Sequence, residues 1–259
     1  MSPLHAFLLS IGIVVLAKTF AWLLQLRTGN AGLVDAIWAW TLGGLALFYA
    51  GVGSAPEGVR ALLGLMGGLW GLRLGLHLWQ RNHGKPEDWR YARFRQQWGR
   101  QANVRMFWFF QFQNVFTLLL SASAYIAVAY RPDEPSLHAV TLAALLWLLS
   151  VVGEALADSQ MEAFRSNPAN RGRVCRDGLW RWSRHPNYFF ECLHWCAYLP
   201  LALTAPWGWT ALAAPLIMAW LLTKLSGMPL LEQEMARRKA GYAEYMRTTS
   251  ALIPWPPKS

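Results

Sequence analysis

Seven apolar stretches alternate with polar or proline- and glycine-bearing segments along the chain, at residues 4–26, 32–51, 60–80, 107–129, 137–157, 189–205 and 207–229. A hydrocarbon core about 30 Å thick needs roughly 20 apolar residues as a helix, because each residue advances about 1.5 Å and no backbone polar group can stay unpaired in lipid. The pattern therefore predicts an all-α, polytopic membrane bundle of about seven transmembrane helices, with residues 1–259 forming one integral membrane domain. The sixth stretch is short and is joined to the seventh through the turn Ala205-Pro206-Trp207-Gly208. The first has no basic residue before it and no obvious small-x-small cleavage site, so it is expected to stay in the mature protein. After the seventh, Leu231–Met235 and Gly241–Tyr245 read as amphipathic helix, and Pro254, Pro256 and Pro257 as an extended tail along the cytoplasmic surface.

Composition supports lipid embedding: 54% of the 259 residues are hydrophobic, 15% are charged, and 16 are tryptophan. A soluble domain carries roughly 25% charged residues. The net charge of +10 acquires meaning from its placement. With seven spans, nineteen of the 24 Lys and Arg fall on one side, while Arg60 and Arg131 fall on the other. Short basic loops favour the cytoplasm, so the N-terminus is expected outside and the C-terminus inside. Basic loops tied to the bilayer and interleaved with acids suit membrane lipid or a diffusible anionic cofactor rather than nucleic acid. Cys175, Cys192 and Cys196 show no paired spacing of the zinc type, so neither a metal nor a disulfide framework is expected.

Ionisable residues inside spans are costly and tend to face a bundle interior or cavity. Lys18 in span one and Asp35 in span two can snorkel to an interface or pair with each other. Gln111, Gln113 and Asn114 suit interhelical hydrogen bonds or a ligand carbonyl. Gly64, Gly67, Gly68, Gly71 and Gly75 give span three the small-xxx-small spacing of close helix packing. Glu154, Asp158 and Glu162 recur every four residues on one helical face and lead to Arg165. Past the basic loop, Asn187, Glu191, His194 and Tyr198 share a face of span six, with Pro186 suited to its first turn.

The run Gly178-Leu179-Trp180, Ser183-Arg184-His185-Pro186-Asn187-Tyr188 and Glu191, with Tyr242-Ala243-Glu244-Tyr245 and Ala251-Leu252-Ile253-Pro254, resembles the membrane-bound steroid 5-alpha-reductase family, especially its broad bacterial branch. The resemblance is densest over residues 140–259 and continues through Trp70–Leu74 and Glu87–Tyr91. It implies a seven-helix enzyme in which NADPH enters from the cytosol and reduces the conjugated alkene of a hydrophobic enone lying between the helices. By this resemblance Glu191 approaches the substrate carbonyl and the nicotinamide, and its lipid-side position would keep the carboxyl neutral and able to donate. Tyr188 joins it as a catalytic candidate, and Gln113 stands in for the family's glutamine on composition alone. Asn187 matches the asparagine at the nicotinamide amide, Asp158 the aspartate on the adenosine side, and Arg165 and Arg173 the arginines near the phosphates. Arg184 is a further phosphate candidate on charge and position. His185, Trp195 and Glu154 complete the expected cofactor-side set. Phe190 stands where the family commonly has glycine, which would narrow the space beside Glu191.

Two other readings compete. The segment Arg184–Tyr188 followed by Glu232-x-Glu234 is also similar to isoprenylcysteine carboxyl and phospholipid methyltransferases, which bind S-adenosylmethionine. Their ligand demands less positive charge than NADPH, so six basic residues between Arg165 and Arg184 favour the reductase reading. A non-enzymatic lipid-binding protein, with intramembrane charges that only fix packing, is the third.

Overall fold

The computed structural model describes residues 1–225 and 227–258. Among them there is no strand, and six helical segments are long and apolar enough to cross a membrane: Pro3–Thr28, Leu33–Val52, Glu57–Asn82, Trp89–Ala129, Leu137–Ser166 and Gly208–Arg238. The chain is a polytopic, all-helical integral membrane protein. It divides into two compact units, Met1–Ser136 with Leu201–Ala213, and Leu137–Pro200 with Ala214–Ser259.

The first unit contains α1 (Pro3–Thr28), α2 (Leu33–Val52), α3 (Glu57–Asn82), α4 (Trp89–Trp98), α5 (Ala102–Ser121) and, after a π-helical turn at Ala122–Ile126, α6 (Ala127–Ala129). Ser2 caps α1 by accepting from the His5 N–H, and Gly29 ends it in the left-handed region with its N–H on Gln25 O. Helices α2 and α3 meet at glycine. A Cβ on Gly71 would lie 2.7 Å from both Gly43 Cα and Ala39 O, so the backbones approach where no side chain intervenes.

The polar residues of this unit pair with one another. Lys18 is fully buried and donates from Nζ to Gln113 Oε1 at 2.9 Å. Asp35 pairs elsewhere, accepting from Arg90 Nη2 at 2.9 Å and from the Tyr91 hydroxyl at 2.7 Å. Gln111 donates to Thr19, and Asn114 donates to Gln111. In the loop around α4, Arg95 grips Glu87, and Arg90 also holds Asp88. Much of the charge between Arg81 and Arg105 is thus absorbed into the loop's own architecture.

The second unit is built on α7 (Leu137–Ser166), α8 (Pro186–Cys196), the start of α9 (Leu199–Ala202), most of α10 (Ala213–Trp220), α11 (Met228–Arg238) and α12 (Tyr242–Thr248). Thirty residues make α7 about 45 Å long, well beyond the hydrocarbon thickness, so its polar last turns continue past the apolar stretch. Phe190 of α8 lies over Gly153 of α7, where a Cβ would come 2.3 Å from the ring. The bulk at position 190 is therefore accommodated by a missing side chain on the neighbouring helix.

The expected sixth span differs from a continuous helix. Residues 189–205 form the eleven-residue α8, a turn and the four-residue α9. Pro200 supplies no N–H to a helical ladder, and α8 ends with the Ala197 N–H shared between the Leu193 and His194 carbonyls. Such a break at membrane depth is tolerated when protein, rather than lipid, surrounds the backbone, and Ala197, Tyr198, Leu201 and Ala202 are fully buried. The expected seventh span is likewise segmented, with 3-10 turns at Gly208–Leu212 and a π turn at Leu221–Leu225; Ser226 within it lies outside the described residues.

The close helix crossing gives a direct test. Gly71→Ala is expected to lower stability by about 1–3 kcal/mol, because the added methyl has only backbone to displace. Gly44→Ala, whose Cβ would meet nothing within 4 Å, should be neutral or slightly stabilising. Thermal denaturation of both variants in the same detergent measures the contrast; equal melting temperatures would contradict it.

Candidate functional site

The second unit gathers most of the predicted site residues at the junction of α7, α8 and the connecting loop. Gly178 adopts φ 55°, beyond the comfortable range of other residues, and the Gln160 amide fills the place of its missing Cβ. The Leu179 N–H donates to Gln160 Oε1 at 2.9 Å and the Trp180 indole N–H to Ala157 O at 3.0 Å. These two bonds fasten the loop to the last turns of α7. Pro186 then occupies the first turn of α8, where its missing N–H costs nothing.

From this start α8 carries its polar face along α7. Asn187 Nδ2 donates to Asp158 Oδ1 at 3.3 Å, with both residues half-buried. One turn further on, Glu191 is buried and its Oε1 accepts from the Trp195 indole N–H at 3.1 Å. Glu154, one turn below Asp158 on α7, is also buried. His194, near the end of α8, then pairs with Tyr198 in the turn that follows, at 3.2 Å between Nε2 and the phenol oxygen. The expected polar stripe therefore exists as paired groups, each turn of α8 contributing one.

Three residues of the expected cofactor-side set, Arg184, His185 and Trp195, make internal contacts. The Arg184 Nε donates to Glu232 Oε1 at 2.7 Å, and its Nη1 donates to the carbonyls of Met246 and Thr249. His185 Nε2 reaches the same Glu232 oxygen at 3.0 Å, while the Tyr188 ring stacks on its imidazole with centroids 5.2 Å apart. Trp195 is fully buried and donates its indole N–H to Glu191. Arg184 and His185 are the pegs on which α11, α12 and the tail are hung. The reason is tertiary: the buried Glu232 carboxylate needs cationic and N–H partners, and these two residues are the ones that α11 meets.

Arg165 and Arg173, by contrast, are exposed on the loop side of this arrangement. A residue not anticipated from sequence joins them. Lys239 lies half-buried just after α11 with its ammonium 6.0 Å from the centroid of the Phe164 ring, and burial together with the nearby Arg165 guanidinium lowers its pKa from the ordinary lysine value. Burial and a like charge both disfavour the charged ammonium, and a neighbouring anion would favour it. Glu232 also escaped the sequence reading as a site residue, although its spacing to Glu234 marked the tail. Gln113 belongs to the first unit, where it receives Lys18.

Comparison with known proteins places the chain in a family. Residues 21–249 match the family described as Protein of unknown function (DUF1295), and the chain belongs to it. It is also similar to an uncharacterized protein of Schizosaccharomyces pombe, 29% identical over 230 residues that cover 77% of this chain and 64% of the yeast protein. The match thus spans a little under two thirds of that relative's length. No solved structure matches.

The anchored tail makes the site pH-sensitive at the alkaline end. Burial, with Glu232 nearby, raises the Tyr242 pKa from 10.0 to about 12, and burial raises that of Tyr245, whose hydroxyl donates to Trp180 O. A tyrosine whose folded pKa is raised adds stability that is complete below its unfolded value near 10 and is lost as pH rises through the folded value. Stability is therefore expected to fall as pH rises from about 10 to about 12, and to fall less in Tyr242→Phe, as alkaline unfolding measures. An unfolding profile in that variant identical to wild type would remove Tyr242 from the effect.

Proposed function

We propose that this protein is an NADPH-dependent reductase of a conjugated C=C bond in a hydrophobic, steroid-like or other lipid enone, as the sequence resemblance to the steroid 5-alpha-reductase family suggests. The observation that carries the reading is the polarity gradient of the second unit. It passes from the buried Glu191, through the half-buried Asn187–Asp158 pair, to the crowded cations Arg165 and Lys239 and the exposed Arg173. A dinucleotide asks for that succession: a buried acid and amide at its reactive ring, a carboxylate acceptor, and several cations for its phosphates. The residues present fit the group.

In this reading Arg165, Arg173 and Lys239 hold the phosphates, while Asp158 and Asn187 fix the polar edges of the nucleoside and nicotinamide. When bound, NADPH supplies the hydride that the β carbon of the enone accepts, and one proton balances the reaction to a saturated ketone and NADP⁺. The protein's own work is positional and acid–base. Glu191 holds a proton toward the substrate carbonyl, the Trp195 N–H orients that carboxyl, and Tyr188 stands on the same helix as a second catalytic candidate. The helical surroundings exclude water, which strengthens each of these interactions. The tail and arginine-rich loop face the cytoplasm in this reading, as their basic residues suggest.

One observation favours the methyltransferase alternative: Arg184 and His185 meet Glu232, the residues that carry that resemblance. Their mutual pairing leaves the cation cluster unexplained, and a compact sulfonium ligand gives it no work. Ligand binding separates the two. The detergent-solubilised chain is expected to be thermally stabilised by NADPH, with affinity falling steeply in salt and weakened in Lys239→Gln, and not by S-adenosylmethionine. Stabilisation by S-adenosylmethionine alone would reverse the assignment.

Glu191→Gln tests the chemistry. It should keep the fold and NADPH binding, yet slow enone reduction by about 100-fold or more, because an amide donates a hydrogen bond but cannot deliver a proton. Turnover within a factor of two or so of wild type would take Glu191 out of the acid–base step.

A further inference from the structure

Residues 250–258 are pinned against the segment that precedes α8. The Arg184 N–H donates to Ser250 O at 2.9 Å, the Ser183 hydroxyl to Leu252 O at 2.8 Å and the Trp255 N–H to Trp182 O at 2.9 Å. The Lys258 N–H closes the far end on Thr248 O at 2.8 Å. Pro254, Pro256 and Pro257 restrict the backbone between these points.

This strap displays apolar bulk outward. Trp255 is 67% exposed, Ile253 63% and Trp182 43%, and the bond between Trp255 and Trp182 makes the two indole-bearing residues neighbours. Three exposed cations edge them. Arg181 adjoins Trp182 in sequence, and the Lys258–Thr248 bond brings Lys258 beside Arg247. None of the three makes an ion pair among the described residues, and Glu244, the acid of α12, pairs with Arg176 instead.

Indoles favour the headgroup level of a bilayer, where the ring is apolar on its body and polar at its N–H. Unpaired Lys and Arg at that level gain from anionic phosphate. We propose that the strap is a membrane-surface docking patch, whose Trp182, Ile253 and Trp255 enter the headgroup layer of the chain's own bilayer while Arg181, Arg247 and Lys258 engage anionic phospholipid. The charge is complementary to such a surface, and no ion pair among the described residues neutralises it. This assignment is independent of the reaction catalysed.

Hydrogen exchange of the full chain in nanodiscs tests it, with phosphatidylcholine alone compared against phosphatidylcholine mixed with phosphatidylglycerol. The Trp255 and Lys258 amides are expected to exchange about tenfold more slowly in the anionic discs, and screening salt should erase the difference. The triple variant R181Q/R247Q/K258Q should lose it too while keeping the exchange of α12 and the melting temperature of wild type, since the replaced groups have no internal partner. Equal exchange in both lipids would overturn the proposal. So would protection that appears only when two chains occupy one disc, which would make the patch a contact between copies.

Discussion

Hydrocarbon supplies no hydrogen bonds, and this chain buries many groups that require them. The consequence is visible wherever a polar side chain enters a helix. Lys18 finds Gln113 across two helices, Asn187 finds Asp158, Glu191 finds Trp195, and Glu232 draws in both Arg184 and His185. Breaking one member of a fully buried pair would strand the other at a cost of several kcal/mol, and the pairings that join different elements fix which faces meet, whereas Glu191 and Trp195 pair within α8.

Glu232 illustrates how one carboxylate organises its surroundings. By holding Arg184 and His185 it determines where α8 begins, and therefore the depth at which Asn187 and Glu191 stand. The same Arg184 reaches the carbonyls at the end of α12, so the tail is part of the support for α8. The basic, aromatic segment that reads as a ligand-binding motif is thus partly architectural. Arg184 and His185 brace α11 and the tail, and Asn187 meets Asp158 of α7.

Glycine provides the complementary device. Gly71 lets α3 reach the backbone of α2, and Gly153 receives the ring of Phe190. In each case packing without a strong hydrophobic drive between helices depends on close dispersion contact, which a single methyl group disrupts. Phe190 looks obstructive in the sequence because its matching vacancy lies 37 positions away, on another helix.

Apolar run length alone determined the class of the protein, because a lipid core imposes a minimum helix length that the chain must meet. The polar positions on α7 and α8 were legible as well, since helical periodicity places residues four apart on one face. What periodicity cannot carry is the identity of a partner distant in the chain. The pairing of Asp35 with Arg90 rather than Lys18, the break of the sixth span into α8 and α9, the commitment of Arg184 and His185 to Glu232, and the crowding of Lys239 against Arg165 were settled only by tertiary structure. The Asp35 and Glu232 pairings depend on which side chain arrives within hydrogen-bonding distance once helices pack, and at that range hydrogen bonding and charge outweigh local preference.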